Sequence, residues 1–148
     1  MVVKIAGCWD ERILPSPAVE YNSRWKFLVR GFGLDGIYMA PVRGFIEEHR
    51  TSPDRRDHVI EVEDIMEAVE TNPELVPVLV DECSPNPLQA FEHPGDAIYL
   101  FGRTGQSFFG GWKGVSVGIE YPEELSSYLQ PDQAAAIVLY DRMVKSWQ

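Results

Sequence analysis

The chain has 148 residues, 45% hydrophobic and 24% charged, a composition typical of one globular domain over 1–148. No apolar run approaches the ~20 residues that cross a bilayer, and the start lacks a signal-peptide core, so we expect a cytoplasmic protein with no membrane partner. The chain has 13 basic and 23 acidic residues, and the formal charge of −10 is unfavourable for a nucleic-acid-binding protein, because affinity for nucleic acid depends largely on phosphate neutralisation by Lys and Arg.

The first third of the chain predicts two strands joined by a helix. An apolar strand covers 2–6 and ends at the Gly-Cys-Trp of 7–9. Proline at 15 and 17 disfavours helical geometry in the preceding residue, so the next helix is predicted over 18–30. Trp25, Leu28 and Val29 stand at helical spacing within it. The Gly-Phe-Gly of 31–33 closes this helix, and a second strand follows over 36–41.

A basic, proline-punctuated stretch over 42–57 predicts a short helical patch at 45–50 and a surface loop. Arg55 and Arg56 in that loop either clamp a substrate phosphate or are simply solvated. A third strand over 58–62, a helix over 64–70 and a fourth strand over 76–80 follow. Pro77 predicts an early or edge position for the fourth strand, because proline donates no ladder hydrogen bond.

This alternation predicts an α/β fold, a mostly parallel sheet with helices on both faces. Asp81 follows the fourth strand at the edge where open α/β sheets bind ligands, and it faces either a ribose hydroxyl or solvent. His93 lies beside Pro94 and is predicted to be a loop residue rather than a base. The three histidines and two cysteines stand in unrelated contexts, so we expect no metal site and no disulfide.

Residues 97–122 carry the most informative pattern. A buried strand over 97–101 stops at Gly102, and the loop Gly-Arg-Thr-Gly-Gln of 102–106 can turn main-chain N–H groups toward a ligand. A sixth strand over 115–119 runs into the Tyr-Pro of 121–122. Two loops therefore meet at one edge of the sheet.

The order Leu-Phe-Gly-x-x-Gly (100–105), Ile-x-x-Pro (119–122), Leu-Gln (129–130) and Ala-Ala-x-x-Leu-Tyr (135–140) resembles the SpoU-type SPOUT RNA methyltransferases. The resemblance is strongest over 96–142 and implies a C-terminal trefoil knot whose loops hold S-adenosylmethionine. It further implies ribose 2′-O-methylation of tRNA or rRNA. The cofactor-binding positions it implies are Leu100, Phe101, Gly102, Thr104, Gly105, Ile119, Pro122, Leu129 and Gln130.

The chain departs from the family where substrate is handled. Arg103 and Thr104 replace the usual Asn or Ser followed by Glu, and Gln130 replaces an Asn. The family's catalytic Asn and Arg map to Asn22 and Arg30, which stand wider apart than the family spacing. The register set by Gly33 places Phe27 at the arginine position instead, with Arg24 and Lys26 as substitutes. If these two residues have no role in substrate binding, Asn22 is predicted to be an exposed helix residue and Arg30 to face the negative C-terminal end of its own helix.

The last helix is predicted over 134–147, after Pro131. Seven apolar residues form an arc wider than one surface helix needs, while Arg142, Lys145 and Ser146 stand opposite. The arc predicts packing partly on the sheet and partly on a second subunit, and SPOUT enzymes are likewise homodimers. The arc consists of Ala136, Ile137, Leu139, Tyr140, Met143, Val144 and Trp147.

Two other functions remain open. The altered motifs and the negative charge favour a catalytically inactive SPOUT-like module that binds or regulates. The generic strand and glycine-loop pattern also fits a flavodoxin-like or nucleotide-binding domain, although no glycine fingerprint follows the first strand. Basic residues cluster within 24–30 and 43–58, so either one face is positive or the surface is acidic throughout.

Overall fold

A computed structural model describes residues 1–9, 16–41, 59–62, 64–82, 84–102, 112–120 and 129–148. Its strands are all parallel and form one sheet in the order β3-β2-β1-β5-β4-β6. The predicted α/β architecture is confirmed. The strands are β1 (Val3–Trp9), β2 (Gly36–Pro41), β3 (Val59–Glu61), β4 (Val76–Val80), β5 (Ala97–Phe101) and β6 (Val115–Val117).

The helices connect these strands. The segment that we call the first helix has three parts, α1 (Pro17–Glu20), a π-helical turn (Tyr21–Trp25) and α2 (Lys26–Gly31). Next come α3 (Ile65–Glu70), a short 3₁₀ turn (Leu88–Ala90) and α4 (Pro131–Ser146). Within the described ranges, no helix combines the length and apolar character that a bilayer crossing needs.

Strand side chains alternate between two apolar layers, because successive residues of a strand point to opposite faces. One layer contains Ile5, Tyr99 and Phe101, and it is covered by the first helix and α4. The other contains Ala6, Ile98 and Leu100, and α3 packs on it through Ala68. All five residues of β5 are buried, as expected for a strand covered on both faces.

The π-helical turn is a feature that the periodicity did not predict. The buried indole Nε1 of Trp25 donates to Oε1 of Glu20 at 3.0 Å. These residues are five apart, which is the spacing that a π-helical turn aligns. Trp25 also lies against Gly7, where a Cβ would stand 2.8 Å from the indole ring. The sheet and the first helix therefore interlock at a glycine.

Two strand predictions were wrong in part. β1 does not end before Gly7 but continues to Trp9, since Gly7 serves as contact surface for Trp25 rather than as a terminator. β4 is not an edge strand, because it pairs with β5 on one side and β6 on the other. Pro77 does lie early in β4, one residue before the pairing with β6 begins at Val78.

The orientation of α4 also differs from the prediction. Ala135, Val138 and Leu139 are the buried residues of this helix, so the arc is rotated from the predicted one. Arg142 and Lys145 were predicted to face away from the core, yet both donate to main-chain oxygens of the loop over 88–95. Long cationic side chains can lie along a packed face when their charged ends reach such acceptors.

Several predictions fall outside the described residues. They are the helical patch over 45–50, the phosphate clamp by Arg55 and Arg56, and the environment of Cys83. Residues 103–111 and 121–128, on which the predicted trefoil knot depends, also lie outside them. Cys8 is a buried free thiol as expected, and burial raises its pKa to about 12, which keeps it unreactive.

Candidate functional site

Three neighbouring strands end side by side at the carboxyl edge of the sheet. Phe101 of β5 is paired with Val80 of β4, and Val80 is paired with Val117 of β6. The next residue of each strand is Gly102, Asp81 and Gly118, which we call the carboxyl row. Adjacent members lie about 4.8 Å apart across the sheet. The row thus gathers a glycine, a carboxylate and a second glycine where parallel sheets bind ligands.

One wall of this edge is a segment fixed onto β6. The main-chain N–H of Gly118 donates to the oxygen of Asn86 at 2.8 Å, and its own oxygen accepts from Leu88 N–H at 2.9 Å. The hydroxyls of Ser84 and Ser116 are 2.8 Å apart. A Cβ on Gly118 would lie 3.2 Å from the main-chain oxygens of Asp81 and Ser84. A Cβ here would force these oxygens to move by a few tenths of an ångström, so glycine favours the close approach of the segment to β6.

The carboxyl row and the residue that follows Asp81 carry negative charge. Asp81 is buried, and Glu82 follows it in an exposed position. Partial burial and the neighbouring charge of Asp81 raise the pKa of the Glu82 carboxyl. Two adjacent carboxylates favour a ligand that brings hydroxyl donors or a positive charge.

The start of α4 supplies the remaining described positions. Leu129 is half-buried directly before the helix. Gln130 forms a capping box with Gln133, and its main-chain N–H donates to Gln133 Oε1 at 2.9 Å. Gln130 thus has a local structural role, because it caps the N-terminus of α4.

The other cofactor positions differ in how they could contact a ligand. The side chains of Leu100 and Phe101 are buried in opposite layers, so they could offer a ligand main-chain groups alone. Gly102 is half-buried at the strand end, and Ile119 packs at the margin of the core. Thr104, Gly105 and Pro122 lie outside the described residues.

The two predicted catalytic residues lie on the first helix, and both are exposed. Asn22 belongs to the π-helical turn, whereas Arg30 lies in the last turn of α2. Shortly after that turn, Asp35 N–H donates to the oxygen of Val3 at the amino edge of the sheet. Arg30 and Gly102 therefore stand at opposite edges, separated by about 16 Å of strand, because Val3 pairs with Ala97 and Gly102 lies five residues further on. One protomer does not bring them together.

A cavity of about 770 Å³ opens at the amino edge, away from the carboxyl row. It lies between the first helix, the loop over 89–95 and the end of α4. His93 borders it, with Nδ1 2.7 Å from the Tyr99 hydroxyl and Nε2 2.8 Å from Asp141 Oδ2. Arg142 Nη1 donates to the same hydroxyl at 3.0 Å. This network ties α4 to β5 and was not predicted, because its members are far apart in sequence.

Burial shifts the pKa of two members of this network. It lowers the pKa of His93, although Asp141 opposes the shift, and it raises the pKa of Tyr99, although Arg142 opposes that shift. In a neutral imidazole whose Nε2 carries the proton, Nε2 would donate to Asp141 and Nδ1 would accept from the Tyr99 hydroxyl. In the described part of the chain, no three His, Cys, Asp or Glu side chains cluster as metal ligands would.

Comparisons with known proteins identify the fold. No family model matches the chain, and no curated protein matches it significantly. Among solved structures, AviRb, a SpoU methyltransferase of Streptomyces viridochromogenes in complex with AdoMet, aligns at a TM-score of 0.69 with 16% identity over 99% of this chain and 61% of its own. An RNA 2′-O ribose methyltransferase aligns at 0.69 with 13% identity over 99% and 57%.

A third structure, concerned with 2-OH methylation of C/U34 on tRNA, aligns at a TM-score of 0.69 with 14% identity. Here the alignment covers 99% of this chain and 97% of the other, whereas the chain spans about three fifths of the first two proteins. The fold is thus that of SpoU-type RNA methyltransferases, as the sequence motifs predicted. The low identity agrees with the diverged motifs.

Proposed function

We propose that this protein is an S-adenosylmethionine-dependent RNA methyltransferase that acts on a ribose 2′-hydroxyl of tRNA or rRNA. The observation that carries the proposal is the carboxyl row, which places Gly102, Asp81 and Gly118 side by side in a SpoU-type fold. An acceptor in tRNA or rRNA agrees with the expected cytoplasmic location.

The residues at the carboxyl row fit the proposed cofactor. S-adenosylmethionine carries an apolar adenine, a ribose with two hydroxyls and a positively charged sulfonium. Ile119 and Leu129 offer half-buried apolar surface for the base. Asp81 and Glu82 supply negative charge that suits the hydroxyls and the sulfonium. Gly102 leaves its main chain open to a close approach, and Thr104, Gly105 and Pro122, which lie outside the described residues, are the remaining proposed cofactor positions.

The chain's own residues would mainly position the reactants. When bound, S-adenosylmethionine supplies an electrophilic methyl group, so the protein needs alignment more than a strong acid. Arg30 stays protonated and would orient a phosphate or hydroxyl of the RNA, with Asn22 as a hydrogen-bonding partner. Because Arg30 and the carboxyl row lie at opposite edges of one protomer, this role requires the first helix of a second copy.

We propose a homodimer formed through α4. Ile137, Tyr140 and Trp147 are 40%, 58% and 69% exposed, and they lie away from the buried face of the helix that contains Ala135, Val138 and Leu139. Covering such apolar surface would contribute about 25 cal/mol per Å². Sedimentation should give a dimer, and Tyr140→Glu should give a monomer that retains the wild-type circular dichroism. A monomeric wild type at micromolar concentration would contradict this interface.

Calorimetric titration with S-adenosylmethionine tests the cofactor site. Leu129→Asp should weaken binding at least tenfold without loss of folding, since an acid just before α4 suits the helix N-terminus. Val76→Asp is the matched control, because Val76 is also a partly exposed apolar residue but begins β4 at the amino edge. Absence of binding to the wild type at millimolar cofactor would remove the proposal.

A catalytically inactive binding or regulatory module is the second candidate. It is favoured by Gln130, which caps α4 at the position where the family carries Asn, and by the distance between Arg30 and the carboxyl row. Incubation with tritiated S-adenosylmethionine and total tRNA or rRNA separates the two. Cofactor binding with methyl transfer supports the enzyme, whereas cofactor binding without transfer supports the module.

A further inference from the structure

The first helix presents an exposed aromatic ring between two guanidinium groups. Phe27 is 77% exposed, far more than a phenylalanine of a packed helix. Arg24 and Arg30 stand three residues before and three residues after it, and residues three apart are neighbours on a helix surface. We call Arg24, Phe27 and Arg30 the RFR stripe.

The cations of the stripe are available to a ligand. Arg24 has a single weak ion pair, with its Nε 3.8 Å from Glu20 Oε2, and Glu20 already accepts from Trp25. Within the described residues, neither Lys26 nor Arg30 forms an ion pair. An arginine without a carboxylate partner retains its full hydrogen-bonding capacity for an anion.

The stripe is also distinct in charge from the rest of the molecule. The first helix has three cations, Arg24, Lys26 and Arg30, and its one acid, Glu20, is buried. By contrast, residues 64–82 contain six acids and no Lys or Arg. In a chain of net charge −10, this helix is therefore the described surface most complementary to a polyanion.

An exposed aromatic with flanking cations matches the chemistry of unpaired RNA. A base released from its helix stacks on an aromatic face, while the phosphates on either side meet arginine. Unpaired RNA therefore accounts for both features of the stripe, the exposed ring and the flanking cations. We propose that the RFR stripe binds single-stranded RNA, with one base stacked on Phe27 and the neighbouring phosphates on Arg24 and Arg30.

This inference rests on the proposed function, because it names how the RNA of that function is recognised. It differs from the role of Arg30 at the ribose in that stacking on Phe27 involves neither the cofactor nor the carboxyl row. A second copy of the chain is the competing occupant, since Phe27 could instead be covered in a subunit interface. A stacked base needs a planar π-face, which leucine lacks, whereas a subunit interface needs only apolar surface.

Fluorescence anisotropy with a labelled eight-nucleotide oligouridylate at low salt tests the stripe. Phe27→Leu should weaken binding about tenfold, because base stacking is lost, while Phe27→Trp should bind at least as tightly as the wild type. Arg24→Gln should lower the slope of log affinity against log salt by about one, because one phosphate contact is removed. Met66→Leu, an exposed position on the acidic α3, is the matched control and should bind as the wild type does.

Sedimentation and calorimetry complete the design. Phe27→Leu and Phe27→Ala should retain the wild-type molecular mass, and both should bind S-adenosylmethionine as the wild type does. A lower mass for Phe27→Ala assigns the ring to a subunit interface and overturns the proposal, as does equal RNA binding by Phe27→Leu or none by the wild type. Failure of the cofactor titration with intact stripe-dependent RNA binding would instead remove the proposed methyl transfer alone.

Discussion

Gly7→Ala tests the interlock between the sheet and the first helix. The added Cβ would lie 2.8 Å from Cζ2 and 2.9 Å from Cη2 of Trp25. Carbon atoms rest about 3.5–4.0 Å apart, so the ring must retreat by most of an ångström. Trp25 is fully buried and is bonded to Glu20, so this retreat breaks existing contacts. Overpacking of this kind costs about 1–3 kcal/mol.

Alanine otherwise stabilises a strand relative to glycine by up to about 1 kcal/mol, so we expect a net loss near 1 kcal/mol. Urea unfolding followed by tryptophan fluorescence would show this loss as a midpoint lower by about 0.5 M. Gly31→Ala is the matched control, because no atom lies within 4 Å of its Cβ and the residue is helical. This variant should be unchanged or slightly more stable.

A double-mutant cycle with Trp25→Phe checks the cause. The smaller ring leaves room for the alanine, so the pair should lose less stability than the two single changes together, by about 1 kcal/mol. If Gly7→Ala unfolds at the midpoint of Gly31→Ala, or if the cycle shows no coupling, the close contact does not determine the packing of the first helix.

Three further predictions concern the edges of the sheet. Gly118→Ala should lower the free energy of unfolding in urea by about 1–2 kcal/mol and should weaken cofactor binding. Gly95→Ala, where no atom lies within 4 Å of the added Cβ, should have neither effect. Equal losses in the two variants would refute the close packing of the 84–86 segment against Gly118. Burial lowers the native pKa of His93, so the unfolded chain takes up the proton first and stability falls as the pH drops below about 6.5. In His93→Gln the free energy of unfolding should fall less between pH 7 and pH 5 than in the wild type. An unchanged pH dependence would contradict this role of His93. Arg142→Met removes donors to Pro94, Gly95 and Tyr99 and should cost about 2–3 kcal/mol, against less than 0.5 kcal/mol for an exposed change such as Glu70→Gln.

Several features of the fold could be predicted from the sequence because they depend on neighbouring residues. The bounds of β2, β4 and β5 match the apolar runs, and Pro131 does mark the start of α4. The motifs at 100–105 and 119–122 indicated the SpoU-type fold through their resemblance to that family. Glycine permits backbone conformations that other residues avoid, so it commonly marks the end of a strand, and Gly102 was placed at a strand end for that reason.

The contacts between distant segments could be known only from the tertiary structure. The order β5-β4-β6 made β4 an inner strand and put Asp81 between Gly102 and Gly118, which no local pattern specifies. The exposure of Phe27 also required the structure, because at the sequence level this residue was considered only for its register against the family's arginine position. Sequence periodicity measures how residues repeat along one element, whereas pairing and burial depend on which elements meet. The chain's local chemistry thus determined the strands, the turns and the fold, and packing alone decided which side chains reach a common edge and which remain open to a partner.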